Sequence, residues 1–319
     1  MIVKIVGQLL LATSVVHILP VDASSLAWQA GEAEAGEVRV AAATPWLATL
    51  PHAAARVVMP KKVDLDSYGI VTSAQTGIVV DAASGAVLYS ERPDEVRAIG
   101  SITKLMTALV FLEQDPDLGK DVTLTFDDYV GGGRVYLRFD DEVALHDVLR
   151  ASLIGSDNTA TNALPRLVGM SYEDFIARMN AKAVELGMTA TQFVDTSGVG
   201  AGNVSTARDL ATLLAAAEAN STMAAILPRS AATITQDSGY SVTVESTNAL
   251  LGSSFEATGY DVLVGKTGFI PQAGYCFATS VAHDGHTVRV VVLGAATKGE
   301  RFSDAKGLAA WAFKTFSWE

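Results

Sequence analysis

Strand-forming runs stand at both ends of this chain and helical periodicity fills its middle, an order that leaves few ways to bury the apolar surface. Thr76–Asp81 and Ala86–Ser90 flank the turn Ala83-Ser84-Gly85 and predict a hairpin. A third run, Thr287–Leu293, lies far along the chain and precedes an amphipathic stretch near Ser303 to Phe316. Residues 101–113 carry apolar positions at helical spacing, which puts Ser101 at or near a helix start. The helical pattern dominates from about Leu145 to Ala217, broken at Gly155–Asn158 and Thr196–Gly200, and strands return from about Ala232. Ser205–Leu210 reads as another helix start, with a capping hydroxyl and an acid in the first turn. The simplest assembly is a mixed α+β fold: one mainly antiparallel sheet built from both chain ends, flanked by the first and last helices, with a helical subdomain inserted.

The remaining composition narrows the function. Acidic residues outnumber basic ones 35 to 23, and no Lys/Arg-rich stripe tracks a phosphate backbone, so no nucleic-acid partner is expected. The single cysteine, Cys276, excludes an internal disulfide, and no Cys/His cluster has zinc-ligand spacing, so neither metal nor cofactor is expected. Cys276 lies in an apolar run and reads as an inert core thiol. At the start, Lys4, the apolar stretch Ile5–Leu19 and the small residues near Ala23 predict a signal peptide over residues 1–23, hence a periplasmic mature chain with no integral membrane anchor. An uncleaved signal anchor is the alternative, although the stretch is short of the ~20 apolar residues of a span. Residues 24–66, rich in Ala, Glu and Pro, read as a linker or lead-in, and residues 67–319 as the folded domain.

Three short motifs carry chemistry. Ser101-Ile102-Thr103-Lys104 puts a hydroxyl and an amine on one helix face, where a desolvated lysine can serve as the base a serine nucleophile needs. Ser156-Asp157-Asn158, at a break between helices, offers a hydroxyl for proton transfer and an amide for a substrate. Lys266-Thr267-Gly268 follows the apolar run Val262–Val264, so its cation and hydroxyl face a cleft from a strand edge and can bind a carboxylate. Each is weak alone: Ser303–Lys306 repeats the first spacing on what reads as surface helix, and Ser246-Thr247-Asn248 repeats the second as a turn or cap. Together, in this order, they form the set shared by penicillin-binding proteins and class A β-lactamases.

The sequence resembles the low-molecular-mass penicillin-binding proteins, the D-alanyl-D-alanine carboxypeptidase and endopeptidase family, from about Thr76 to Phe316. Beyond the three motifs, the resemblance runs through Asn180–Ala183, Leu186–Met188, Asn203–Leu210 and Ala273–Cys276. It implies a β-lactamase/transpeptidase-like fold and cleavage of D-alanyl bonds in peptidoglycan stem peptides or cross-links through an acyl-enzyme, with β-lactams as covalent inhibitors. It implies Ser101 as nucleophile, Lys104 as base and Ser156 as proton relay. Asn158 would meet the substrate backbone, Lys266 and Thr267 its carboxylate, and the Ser101 and Phe269 N–H groups the oxyanion beside Gly268. Phe269 stands where several carboxypeptidases carry His. The chain continues only 51 residues past Gly268, which is similar to the short endopeptidase branch. A class A-like β-lactamase is the rival enzyme, but Glu173 and Glu185 lack the Glu-x-x-Leu-Asn context of its deacylating acid. A non-catalytic wall-binding protein of the same fold is the third reading.

Overall fold

The computed structural model describes residues 57–319; the expected signal peptide and the lead-in before residue 57 lie outside the described residues. The central sheet has five antiparallel strands. In chain order these are β1 (Thr76–Asp81), β2 (Val87–Glu91), then, after the helical part and a separate β3–β4 hairpin (Ala231–Thr235, Ser241–Glu245), β5 (Asp261–Ile270), β6 (Gly274–His283) and β7 (His286–Ala295). Their spatial order is β5-β6-β7-β1-β2, so the two ends of the chain meet where β7 pairs with β1, Val291 opposite Ile78. The sequence-derived architecture holds.

Helices cover both faces of this sheet, which explains the unbroken apolar run in β7. Side chains alternate across a strand, so Val291 and Leu293 enter one core with Ile78, while Val288, Val290 and Val292 enter the other with Val79. On the first face lie α1 (Thr103–Leu112), α2 (Leu145–Leu153), α3 (Asn158–Leu167), α4 (Tyr172–Glu185), α5 (Ala207–Ala219) and the short α6 (Ser221–Ile226). The second face is closed by α7 (Glu300–Thr315), whose Phe302, Ala305, Leu308, Ala309 and Ala312 follow helical spacing onto the sheet. The α5 start forms as read, with the Thr206 side chain accepting from Asp209 N.

The β3–β4 hairpin departs from a single sheet. Each of its strands buries one residue, Ile234 and Val244, and exposes both ends, so it has one apolar face to cover and packs against the helical core. A two-residue ladder pairs Lys61–Lys62 with Phe316–Ser317, fastening the end of the lead-in to the end of the chain. No helix among the described residues is long and apolar enough to cross a membrane.

Candidate active site

The site forms where the start of α1 meets the edge strand β5. Gly100 takes φ +55, and a Cβ there would lie 2.6 Å from Phe269 N, so only glycine lets the two backbones approach this closely. The chain then makes a 3-10 turn over Gly100–Ile102 before α1 begins, with Ser101 on that turn. Lys104 follows one turn on and is fully buried. Its Nζ lies 3.0 Å from Ser101 Oγ, 2.7 Å from Asn158 Oδ1 and 2.6 Å from the Ser197 carbonyl.

The second motif sits on the α2–α3 connection. Ser156 adopts φ +60, a left-handed conformation that costs a non-glycine residue roughly 1–2 kcal/mol, and its hydroxyl borders the cleft. Asp157 is structural: its Oδ1 accepts from Thr159 N and Ala160 N to cap α3, and its Oδ2 accepts from Tyr136 N. Asn158 therefore opens α3 in a fixed orientation, with Nδ2 donating to the Gly131 carbonyl at 2.9 Å.

From β5, Lys266 Nζ donates to Ser156 Oγ at 2.8 Å, so Ser156 is tied to this lysine rather than to Lys104. Thr267 Oγ1 donates to Thr247 Oγ1 at 2.7 Å, and Phe269, 48% exposed, stacks on Tyr275 at the rim. Ser101, Ser156, Asn158, Thr267 and Gly268 border one open cleft of about 580 Å³, whereas Lys104 and Lys266 are buried behind them, so Lys266 does not face the cleft as its strand-edge position suggested; a second arm of about 340 Å³, lined by Val199, Ile270 and Pro271, shares Ser101 and Asn158 with the first. The repeated spacings behave differently. Ser303 and Lys306 are exposed on α7, as read. Ser246-Thr247-Asn248 does form a turn, with Asn248 N donating to Ser246 Oγ, yet it also edges the cleft and supports Thr267. Glu173 and Glu185 lie on α4 away from the cleft, with Glu185 paired to Arg178.

Residues 65–297 match the model of the serine peptidase family S11, described as D-alanyl-D-alanine carboxypeptidase. The chain belongs to this family. It is 34% identical to the D-alanyl-D-alanine endopeptidase of Escherichia coli over 241 residues, 74% of this chain and 76% of that one. Among solved structures it is similar to the Streptomyces K15 DD-transpeptidase, with a TM-score of 0.72 at 30% identity over 78% of this chain and 100% of the other. It is similar also to penicillin-binding protein D2 of Listeria monocytogenes in its cefotaxime-bound form, with a TM-score of 0.67 at 31% identity over 77% and 100% of the two chains. The protein is thus a serine hydrolase of the D-Ala-D-Ala peptidase family.

Burial also shapes the electrostatics of the two lysines. Burial pulls the Lys104 amine down from the usual 10.5 to about 7, against the pull of Asp157 and Asp195. Lys266 is also held well below the usual range, by burial first and then by Lys104 and Arg301. Three supports escaped the sequence reading. Asp195 accepts from the backbone N–H groups of Ser197, Gly198 and Gly200 at 2.6–2.8 Å, and from Asn203 Nδ2, fixing the loop whose Ser197 carbonyl holds Lys104. Gly198 in that loop has φ +83, and a Cβ there would collide with the Gly100 carbonyl. Buried Arg301, from the start of α7, donates to the Gly268 carbonyl at 3.2 Å. The sequence marked Thr196–Gly200 as a loop and nothing more; Arg301 carried no local signal.

Proposed function

We propose that this chain is an exported, periplasmic peptidase that hydrolyses D-alanyl bonds in peptidoglycan cross-links, with residues 67–319 as the catalytic domain, and that β-lactams acylate it at Ser101. The observation that carries the reading is the coordination of Lys104. A neutral amine has two N–H donors and one lone pair. Asn158 Oδ1 and the Ser197 carbonyl are acceptors only and take the two donors, which leaves the lone pair for the Ser101 hydroxyl. An amine titrating near 7 is in that state for much of the neutral range.

The reaction follows. Ser101 Oγ attacks the D-alanyl carbonyl carbon while its proton passes to Lys104 Nζ. The Ser101 and Phe269 N–H groups face the developing oxyanion, where loss of one donor typically costs about 3 kcal/mol. Ser156, its Oγ oriented by Lys266, gives its hydroxyl proton to the departing amine as the C–N bond breaks and takes in return the proton that Lys104 received, which leaves Lys104 neutral again. Lys266 and Thr267 hold the carboxylate of the leaving residue, and Asn158 meets the substrate backbone while keeping Lys104 in place. Water then attacks the ester and gives one proton to Lys104, which returns it to Ser101 Oγ as the C–O bond breaks; the acyl half leaves as a carboxylic acid that ionises to the carboxylate.

Endopeptidase action is supported by the match to the E. coli endopeptidase over most of both chains and by the open cleft running past Ser101 on both sides. Incubation with purified cross-linked muropeptides and with a pentapeptide, followed by product mass, tests this: cross-link scission outpacing loss of terminal D-Ala is expected, and release of D-Ala alone would overturn it.

A further inference from the structure

The two arms of the cleft differ in charge. The arm containing Thr267 is bordered by Arg134, Lys298 and Arg301 with one acid, Glu245, whereas the arm through Val199, Ile270 and Pro271 has no charged residue on its lining. This cationic concentration stands out on a chain of net charge -12. Among the described residues none of the three cations makes an ion pair, although most other arginines do. Arg301 donates through Nη1 to the Gly268 carbonyl and is buried. Arg134 and Lys298 are solvent-accessible, and Arg134 is steadied on its glycine-rich loop by stacking over the Tyr136 ring, 4.7 Å from its centroid.

We propose that Arg134 and Lys298 bind a second carboxylate on the leaving half of the substrate, beyond the one held at Lys266 and Thr267, so that the preferred substrate is a cross-linked peptide whose acceptor stem ends in a free carboxylate. The inference rests on the catalytic reading above. Placing the carboxylate held by Thr267 in this arm puts the leaving half there, and leaves the uncharged arm for the acyl half. A monomeric stem peptide has one carboxylate beside the scissile bond and gives Arg134 and Lys298 nothing to bind. The acceptor stem of a cross-link supplies both. Glu245 is outnumbered, so the arm remains net cationic and its recognition screens with salt.

The test compares the full mature chain with a double variant, Arg134→Gln with Lys298→Gln, on cross-linked peptide dimers whose acceptor stem ends in a free acid or an amide. The expected result is a roughly tenfold lower kcat/KM of the variant on the free acid, a similar loss for the unaltered protein when the acceptor is amidated, and no further loss when both changes are combined. The charge-conserving pair Arg134→Lys with Lys298→Arg should recover most of the activity. Penicillin acylation, which needs neither residue, should stay within twofold. Equal loss on both dimers, or no loss on either, with acylation intact overturns this proposal alone. Failure of the unaltered protein to be acylated at all overturns the catalytic reading and this proposal with it.

Discussion

The acylation rate should follow the ionisation of Lys104. With its amine at about 7, roughly a tenth is neutral at pH 6 and roughly nine-tenths at pH 8, so the second-order rate constant for penicillin acylation rises about tenfold over that interval and then levels. A lysine at the usual 10.5 would give about a hundredfold over the same interval and continue to climb past pH 9. Stopped-flow measurement of acyl-enzyme formation between pH 5.5 and 9.5 separates the two, and a continued tenfold rise per pH unit above pH 8 would refute a pre-lowered base. Lys104→Arg, whose guanidinium stays charged, should lose acylation across the whole range. The same burial weighs on stability. Because the folded value lies below the unfolded one, the unfolded chain binds the extra proton between about pH 7 and 10.5, and this group's contribution to stability rises with pH through that window. At about 1.36 kcal/mol per pH unit, the penalty is about 5 kcal/mol below pH 7 and disappears above 10.5.

Asp195→Asn should slow acylation more than tenfold and lower unfolding stability by about 2–4 kcal/mol, since an amide presents donors where the carboxylate accepts from three N–H groups; wild-type rates would remove this loop from the site. Gly198→Ala combines a positive φ with a collision at the Gly100 carbonyl and should cost several kcal/mol in urea unfolding together with most of the acylation rate. Leu308→Ala, fully buried on the sheet face opposite the catalytic helix, should cost about 2–5 kcal/mol by the same measurement while leaving the folded protein's acylation rate unchanged.

What the sequence disclosed was set by the range of each interaction. Ser101 and Lys104 are one helical turn apart, so their meeting follows from helix geometry alone. Lys266 and Thr267 lie on a strand whose preceding apolar run fixed its place at the sheet, and the β1–β2 hairpin and α7 were legible from their periods. The rest depended on contacts between distant segments. Ser197 offers Lys104 a backbone carbonyl, a group every residue possesses, so no residue type announced it. Arg301 lies 33 residues beyond Gly268 and meets its carbonyl only through the packing of α7 against the sheet. Thr247 read as a cap because its local hydrogen bonds are those of a turn; its bond to Thr267 arises from the packing of the β3–β4 region beside β5. Ser156 was expected as a proton relay on its motif alone, and its bond to the third motif's lysine joins residues 110 apart in the chain.

Peptide mapping after penicillin treatment tests the nucleophile most directly. Intact mass should show one adduct per chain, tandem mass spectrometry should place it on the peptide containing Ser101, and Ser101→Ala should stay unmodified with its circular dichroism spectrum and melting temperature preserved. A stoichiometric adduct on Ser156 or elsewhere, or folded protein that takes up no drug, would contradict the assignment.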